Sequence, residues 1–168
     1  MSNTDATTPD TKAHLLATGY QLIAKKGFTA VGLKQILDTA GVPKGSFYHY
    51  FASKEAFGEA IINHYFSLYK TRLDVIDAQD VSAQQKLYDY FQNWYDTQQN
   101  GCDHEKCLVV KLSAEVADMS ETMRKALDTG YQQTTMWLAK QIKAGWLDES
   151  IPRHDNISAE SMAKRWYF

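Results

Sequence analysis

The segment LKQILDTAGVPKGSFYHYF, residues 33–51, decides the fold of this chain. Its first half places apolar side chains on one face of a helix predicted from about Leu33 to Ala40, and the GVP sequence at 41–43 breaks that helix sharply. A second short helix is predicted from Lys44 to Phe51. A helix, a short turn with glycine and a second helix form the layout with which a helix-turn-helix enters the major groove of DNA.

The second helix of this segment has two faces of different character. Phe47 and Phe51 lie four residues apart and are predicted to pack inward, whereas Lys44, Tyr48 and His49 are predicted to point outward. Aromatic residues at helical spacing are usually core, but so short a helix buries only one face, and exposed hydroxyl-bearing rings need a polar partner. From the residues alone, a DNA-contacting helix and an ordinary core helix are both open interpretations.

On the DNA-binding interpretation, the residues of this helix divide between the phosphate backbone and the bases. Gly45 lets the protein backbone approach a phosphate closely, and the positive N-terminus of the helix favours an anion. Phosphate contacts are predicted for Lys44, Tyr48 and Lys54, and base-edge contacts for Ser46 and His49.

Helical spacing continues through the rest of the 168 residues, so the fold is predicted to be all-α. Thr8, Pro9 and Asp10 are expected to open the first helix and Gly27 to end it, with His14, Leu15, Ala17, Leu22 and Ile23 on its buried stripe. A long helix is predicted from Lys54 to about Ile76 with Ser53 as its cap, and a second helix after Ser82, which forms a capping box with Gln85. Further helices are predicted from Cys107 to Asp118, from Ser120 to a stop at Gly145 and Pro152, and after Ser158.

These helices are grouped into a predicted tail and two domains. Residues 1–9 are expected to be a disordered tail, 10–53 a three-helix DNA-binding domain, and 54–168 a helical body joined to it by a long rigid helix. Residues 1–56 carry a net charge of +2, which leaves −4 for the remainder and favours the N-terminal part as the DNA-binding one. No signal peptide or membrane segment is recognised, so a cytoplasmic location is expected.

The run GFTAVGLKQILDTAGVPKGSFYHYFASKEAF, residues 27–57, resembles the DNA-binding signature of the TetR family of transcriptional repressors. The resemblance implies a homodimer that binds double-stranded operator DNA and leaves it when a small-molecule inducer acts, with no enzymatic activity, cofactor, metal or membrane partner. It implies DNA contacts at Lys44, Gly45, Ser46, Tyr48, His49 and Lys54, with Tyr50 as a further candidate.

One position departs from that signature. The family usually caps the second helix with serine or threonine, whereas this chain has Gly32, so a hydroxyl that would bind a phosphate is absent. DNA affinity is therefore expected to depend more on Thr29, Lys34 and Lys54.

Cys107 is the candidate sensor residue. It opens a predicted helix beside Lys106 and four residues before Lys111, a setting that favours the reactive thiolate, although a free cysteine is commonly just a small buried apolar residue. The segment CLVVKLSAEVADMSETMRKAL, residues 107–127, resembles the electrophile-sensing, N-ethylmaleimide-responsive branch of the TetR family. That resemblance implies that Cys107 is the sensor.

Three other roles remain open for the cysteines. Cys102 would serve as a resolving thiol for an oxidised Cys107, or Cys102, His104 and Cys107 would bind zinc or copper. An enzyme with Cys107 as nucleophile and His104 as base is the rival class, but no third orienting group and no Gly-rich phosphate loop, G-x-S-x-G or HExxH motif accompanies them.

For the chain as a whole, a helical interaction module that does not bind DNA is a further alternative.

The helical body contains aromatic residues that would line a ligand cavity or form ordinary core. The candidates are Tyr65, Tyr88, Phe91, Trp94, Tyr95, Tyr131 and Trp137. TetR-family members usually finish with two long helices that form the dimer interface, and Phe168 falls partway into the first, so the body is predicted to be incomplete at its C-terminus.

Overall fold

The protein is built from α-helices. The structure is a computed structural model that describes residues 10–100, 108–115, 118–153 and 156–167, and these residues form eight α-helices and no strand. The helices are α1 Thr11–Lys26, α2 Leu33–Ala40, α3 Lys44–Tyr50, α4 Lys54–Asp77, α5 Ala83–Asn100, α6 Leu108–Ser113, α7 Glu121–Leu147 and α8 Ala159–Tyr167. The predicted all-α fold is confirmed.

Side-chain caps begin most of these helices where the sequence predicts them. The Asp10 carboxylate accepts a hydrogen bond from the Lys12 N–H at 3.0 Å, and the Ser53 hydroxyl accepts one from the Ala56 N–H at 3.0 Å. Such bonds satisfy N–H groups that have no partner within the helix. The same arrangement is present at Ser82, Ser120 and Ser158.

Two predicted helix ends are wrong. The helix after Cys107 was expected to reach Asp118, but α6 ends at Ser113, because the Glu115 N–H bonds the Leu112 carbonyl in a tighter turn. Gly145 does not end α7, which continues to Leu147. A Cβ at Gly145 would lie 2.3 Å from Ile151 Cδ1, so this glycine lets the returning chain pack against the helix.

The buried stripe of α1 differs from the prediction at two positions. His14 and Ala17 are exposed, whereas Gly19 is buried and faces Phe57, whose ring would lie 2.4 Å from a Cβ at that position. The His14 imidazole instead hydrogen-bonds the Ala40 carbonyl at 2.9 Å, at the end of α2. The approach of Phe57 at Gly19 leaves no room for a side chain there.

The described residues fall into two compact units. The first unit comprises those of 10–62 and 108–123, and the second comprises those of 63–100 and 124–167. Helix α4 is one continuous helix that supplies residues to both units, and the domain boundary at residue 54 stays a prediction. None of the described helices is long and apolar enough to cross a membrane.

The second unit has its own apolar core and a polar clamp at the end of α4. Its core consists of Leu73, Leu87, Tyr90, Trp137, Leu138, Ala139, Ile142, Ala159 and Ala163. The Asp77 carboxylate binds Lys140 Nζ and Gln141 Nε2, each at 2.6 Å, and its carbonyl accepts from Lys86 Nζ at 2.8 Å. Burial raises the pKa of Asp77, but the bond and charge of Lys140 outweigh it and the pKa is lowered overall.

Candidate nucleic-acid interface

The inward face of α3 is held by three phenylalanine rings. Phe47 is fully buried, and its ring centroid lies 5.3 Å from those of both Phe51 and Phe57. Phe51 and Phe57 are 4.9 Å apart, so the three rings form one cluster, which we call the aromatic anchor. A helix of seven residues is not stable alone, so the aromatic anchor is what fixes α3. The predicted inward orientation of Phe47 and Phe51 is confirmed.

The outward face of α3 carries the cationic and polar residues. Lys44, Tyr48, His49 and Tyr50 are exposed, and 48% of the Tyr48 surface is accessible to solvent. Lys44 Nζ lies 5.8 Å from the centre of the Tyr48 ring, and the rings of His49 and Tyr50 are 4.8 Å apart. The predicted outward orientation of Lys44, Tyr48 and His49 is therefore confirmed, and their contact with DNA stays a prediction.

The two small residues of α3 also lie near this face. A Cβ added at Gly45 would meet no atom within 4 Å, so the glycine is not required by packing inside the protein. Ser46 is half-buried.

Helix α2 begins without a side-chain cap. Its N-cap residue is Gly32, which makes no side-chain hydrogen bond, as expected from the sequence. Lys34 Nζ lies 2.7 Å from Asp38 Oδ2 on the exposed surface of the helix, and this hydrogen bond, followed by the charge of Asp38, raises the pKa of Lys34. Both groups are largely in solvent, so the ion pair contributes little stability and leaves Lys34 able to bind another anion.

Lys54 supports the turn between α1 and α2 from within the protein. Its Nζ donates a hydrogen bond to the Phe28 carbonyl at 2.9 Å and lies 4.4 Å from the centre of the Phe28 ring. Burial lowers the pKa of Lys54, and the negative charges of Glu55 and Glu115 oppose that shift. This structural role was not predicted, and the phosphate contact assigned to Lys54 stays a prediction.

A second contact on the same turn comes from Glu115. Glu115 Oε2 accepts hydrogen bonds from both the N–H of Thr29, at 2.7 Å, and its hydroxyl, at 2.6 Å. Gly27 has φ +91°, and a Cβ there would lie 1.9 Å from Glu115 Oε1. We call the contact of Gly27 and Thr29 with Glu115 the carboxylate clasp. Sequence reasoning did not find Glu115, and the only local signal was the glycine that ends α1.

The candidate sensor residues lie outside the described residues. These are Cys102, His104 and Cys107, so the sensor, resolving-thiol, metal-ligand and nucleophile interpretations all stay predictions. The described chain resumes at Leu108, which is buried at the start of α6.

The aromatic candidates for a ligand pocket occupy several environments in the second unit. An open groove of about 470 Å³ is lined by Gln84, Leu87, Tyr88, Phe91, Ile151 and Trp166, which include two of the seven candidates. Trp94 and Tyr95 are exposed, and Tyr65 and Tyr131 are half-buried. Trp137 is a core residue whose indole N–H has no hydrogen-bond partner within the described part of the chain.

Known proteins share both the sequence and the helical arrangement. Residues 15–61 match the family of bacterial regulatory proteins described as the tetR family. The chain is 44% identical over 140 residues to the HTH-type transcriptional repressor NemR of Escherichia coli K12, covering 81% of this chain and 69% of that protein. It is 32% identical over 158 residues to the HTH-type transcriptional repressor DhaR of Mycobacterium sp. GP1, covering 92% and 78%.

A solved structure shows the same fold. The crystal structure of the reduced form of E. coli NemR superposes with a TM-score of 0.87 at 39% identity, over 94% of this chain and 81% of that one. The sequence match, the shared fold and the outward polar face of α3 all indicate a DNA-binding regulator of this family. The chain therefore belongs to the TetR family of DNA-binding transcriptional repressors and is not an enzyme.

Proposed function

We propose that this repressor binds its operator as a homodimer in the cytoplasm through the outward face of α3, and that an electrophile or another small molecule releases it. The observation that supports the DNA-binding part most directly is the division of α3 into a buried aromatic anchor and an exposed face with Lys44, Tyr48 and His49. Two such helices in a dimer would enter successive major grooves about 34 Å apart on a near-palindromic site.

The charges near α3 favour a salt-dependent interaction with phosphates. Lys44 is exposed, and Lys34 lies exposed on α2. Displacing counterions from several phosphates weakens binding steeply with salt, with a log–log slope of about 0.9 per phosphate contacted. The experiment is a salt titration of affinity for a duplex selected by the protein from random sequence. An affinity independent of salt would favour an interaction module over a repressor.

Gly45 gives a test of close backbone approach. The Gly45→Ala variant is expected to be as stable as the wild type or about 0.5–1 kcal/mol more stable, because the position is open and alanine favours the helix. Its affinity for the operator is expected to fall about ten-fold, because the added methyl group holds the phosphate away. Thermal unfolding and fluorescence anisotropy would measure the two effects, and an unchanged affinity would remove Gly45 from the DNA contacts.

Cys107 is the proposed sensor. The support is the match to NemR, together with a sequence that places Cys107 beside Lys106 and four residues before Lys111. Positive charges stabilise the thiolate, which is the form that attacks an electrophile. Modification would favour a conformation of the body that binds DNA less well, and the operator would be released.

The sensor proposal predicts a specific loss of response. The Cys107→Ser variant is expected to bind the operator with wild-type affinity and to stay bound when a thiol-reactive quinone or aldehyde is added. Anisotropy with and without the quinone, supported by mass spectrometry of the modified site, would measure this. Cys102→Ser is the matched control and is expected to be released by the quinone like the wild type. A Cys102–Cys107 disulfide that hydrogen peroxide, a two-electron oxidant, forms in the wild type would identify Cys102 as the resolving thiol.

Release of the Cys107→Ser protein from the operator by the same electrophile would show that Cys107 is not the sensor. The groove lined by Tyr88, Phe91 and Trp166 is the alternative site, since its apolar rings suit a small non-covalent ligand. Competition by a non-reactive analogue of the quinone would distinguish that mode from covalent sensing.

A further inference from the structure

We propose that Glu115 is a positioning residue for DNA binding, and that the carboxylate clasp holds the turn between α1 and α2 in the conformation that binds the operator. This inference goes beyond the proposed function, because it names a residue that contacts no DNA and does not depend on Cys107. Within the described residues, the clasp joins parts of the first unit that are 86 residues apart in the sequence.

The donor set of the clasp is strong and specific. One carboxylate oxygen accepts both the backbone N–H and the hydroxyl of Thr29, at 2.7 and 2.6 Å. Hydrogen bonds to an ionised acceptor are roughly twice as strong as neutral ones, and two from the same residue fix its orientation. Thr29 is thereby held at a defined position relative to Glu115.

The backbone at Gly27 is shaped for this carboxylate. Gly27 has φ +91°, a conformation that residues with a side chain rarely adopt, and its missing Cβ leaves the space that Glu115 Oε1 occupies. On the same turn, Lys54 Nζ binds the Phe28 carbonyl at 2.9 Å. Three of the six residues between α1 and α2 are therefore contacted by groups from distant parts of the chain: Gly27 and Thr29 by Glu115, and Phe28 by Lys54.

The position of Glu115 is in turn fixed by α6. Leu108 and Leu112 are both buried, so α6 is anchored in the core of the first unit, and it packs against α1. Glu115 lies two residues beyond the end of α6, with its N–H bonded to the Leu112 carbonyl at 2.9 Å. A shift of α6 would pull the carboxylate away from Thr29 and free the turn that leads through buried Val31 into α2. The clasp thus connects α6 to the helix-turn-helix.

The test compares Glu115→Ala, Glu115→Gln and Thr29→Val on the full chain, with a duplex that the wild type selects from random sequence. Glu115→Ala is expected to bind about ten-fold more weakly, the size expected from losing a charge-assisted pair of hydrogen bonds. Glu115→Gln loses the same charge but keeps an oxygen that accepts from Thr29, so its affinity is expected to lie closer to the wild type. The salt slope is expected to be unchanged in both variants, because Glu115 binds no phosphate.

A double-mutant cycle separates the clasp from a direct role of Thr29. The combined Glu115→Ala, Thr29→Val variant is expected to lose less affinity than the product of the single losses, because Thr29→Val removes only the hydroxyl hydrogen bond, which Glu115→Ala has already broken. Independent effects would show that Thr29 acts on DNA without Glu115 and would overturn the proposal. An equal gain of affinity in the alanine and glutamine variants would also overturn it, since it would mean that the carboxylate only repels DNA. Selection of a duplex by the wild type is the first step of the experiment. If the wild type selects none, the proposed DNA-binding function is wrong, and this result is distinct from a failure of the clasp.

Discussion

The Phe47→Ala variant is expected to lose about 3–5 kcal/mol of unfolding free energy in the first unit. The substitution removes a fully buried ring that contacts both other members of the aromatic anchor, and it leaves a cavity beneath α3. Because a domain typically has only about 5–15 kcal/mol of stability, this loss is expected to melt the recognition helix near physiological temperature and to abolish operator binding.

Thermal unfolding followed by two signals would locate the effect. All four tryptophans, at positions 94, 137, 146 and 166, belong to the second unit, so their fluorescence reports that unit, while far-ultraviolet circular dichroism reports all helices. The expected result is a loss of helical signal at a temperature where tryptophan fluorescence is unchanged. Met136→Ala is the control, since it truncates an apolar side chain that is 71% exposed and is expected to be neutral. Equal unfolding temperatures for Phe47→Ala and this control would contradict the claim that the aromatic anchor stabilises α3.

Removing the outward face of α3 is expected to have the second large effect, on affinity rather than stability. The triple variant Lys44→Ala, Tyr48→Ala, His49→Ala is expected to bind the selected duplex roughly a thousand-fold more weakly, since each base or phosphate contact contributes about 1–3 kcal/mol. Its salt slope is expected to fall by about 1, because one lysine no longer neutralises a phosphate. All three side chains are exposed, so the melting temperature is expected to change little.

The chain offers a control of identical composition. The variant Lys164→Ala, Tyr95→Ala, His64→Ala removes the same three residue types from exposed positions in the second unit. It is expected to bind DNA with wild-type affinity in anisotropy titrations at several salt concentrations. Comparable losses in both variants would show that general charge, rather than the face of α3, governs binding.

Local chemistry made most of the helices predictable. Asp10, Ser53 and Ser120 accept the backbone N–H bonds that their positions suggested, and the Gly41 C-cap has φ +65°, the left-handed conformation that glycine allows. The two faces of α3 were also predictable, because a spacing of four residues places Phe47 and Phe51 on one side. In each of these cases the signal and its consequence lie within a few residues of each other.

Contacts between distant segments were not predictable in the same way. Glu115 is 86 residues from Thr29, and no periodicity or cap signal marks a carboxylate beyond the end of α6 that binds a remote turn. Glycine often ends a helix, so the sequence predicts a stop at Gly145, whereas in the structure Gly145 makes room for Ile151. Helical spacing predicts His14 on the buried stripe of α1, yet its imidazole hydrogen-bonds the Ala40 carbonyl. The contacts of Glu115, Gly145 and His14 each depend on which segments pack together in the folded chain.

The separation of the aromatic anchor from the outward residues of α3 bears on how such a regulator acquires new targets. The rings that secure the helix project into the protein, whereas Lys44, Tyr48 and His49 project away from it. Exchanging the outward side chains therefore costs little folding free energy, so a library randomised at these positions would retain a high proportion of folded members. Operator preference can therefore change by substitution of the outward side chains while the aromatic anchor keeps α3 folded.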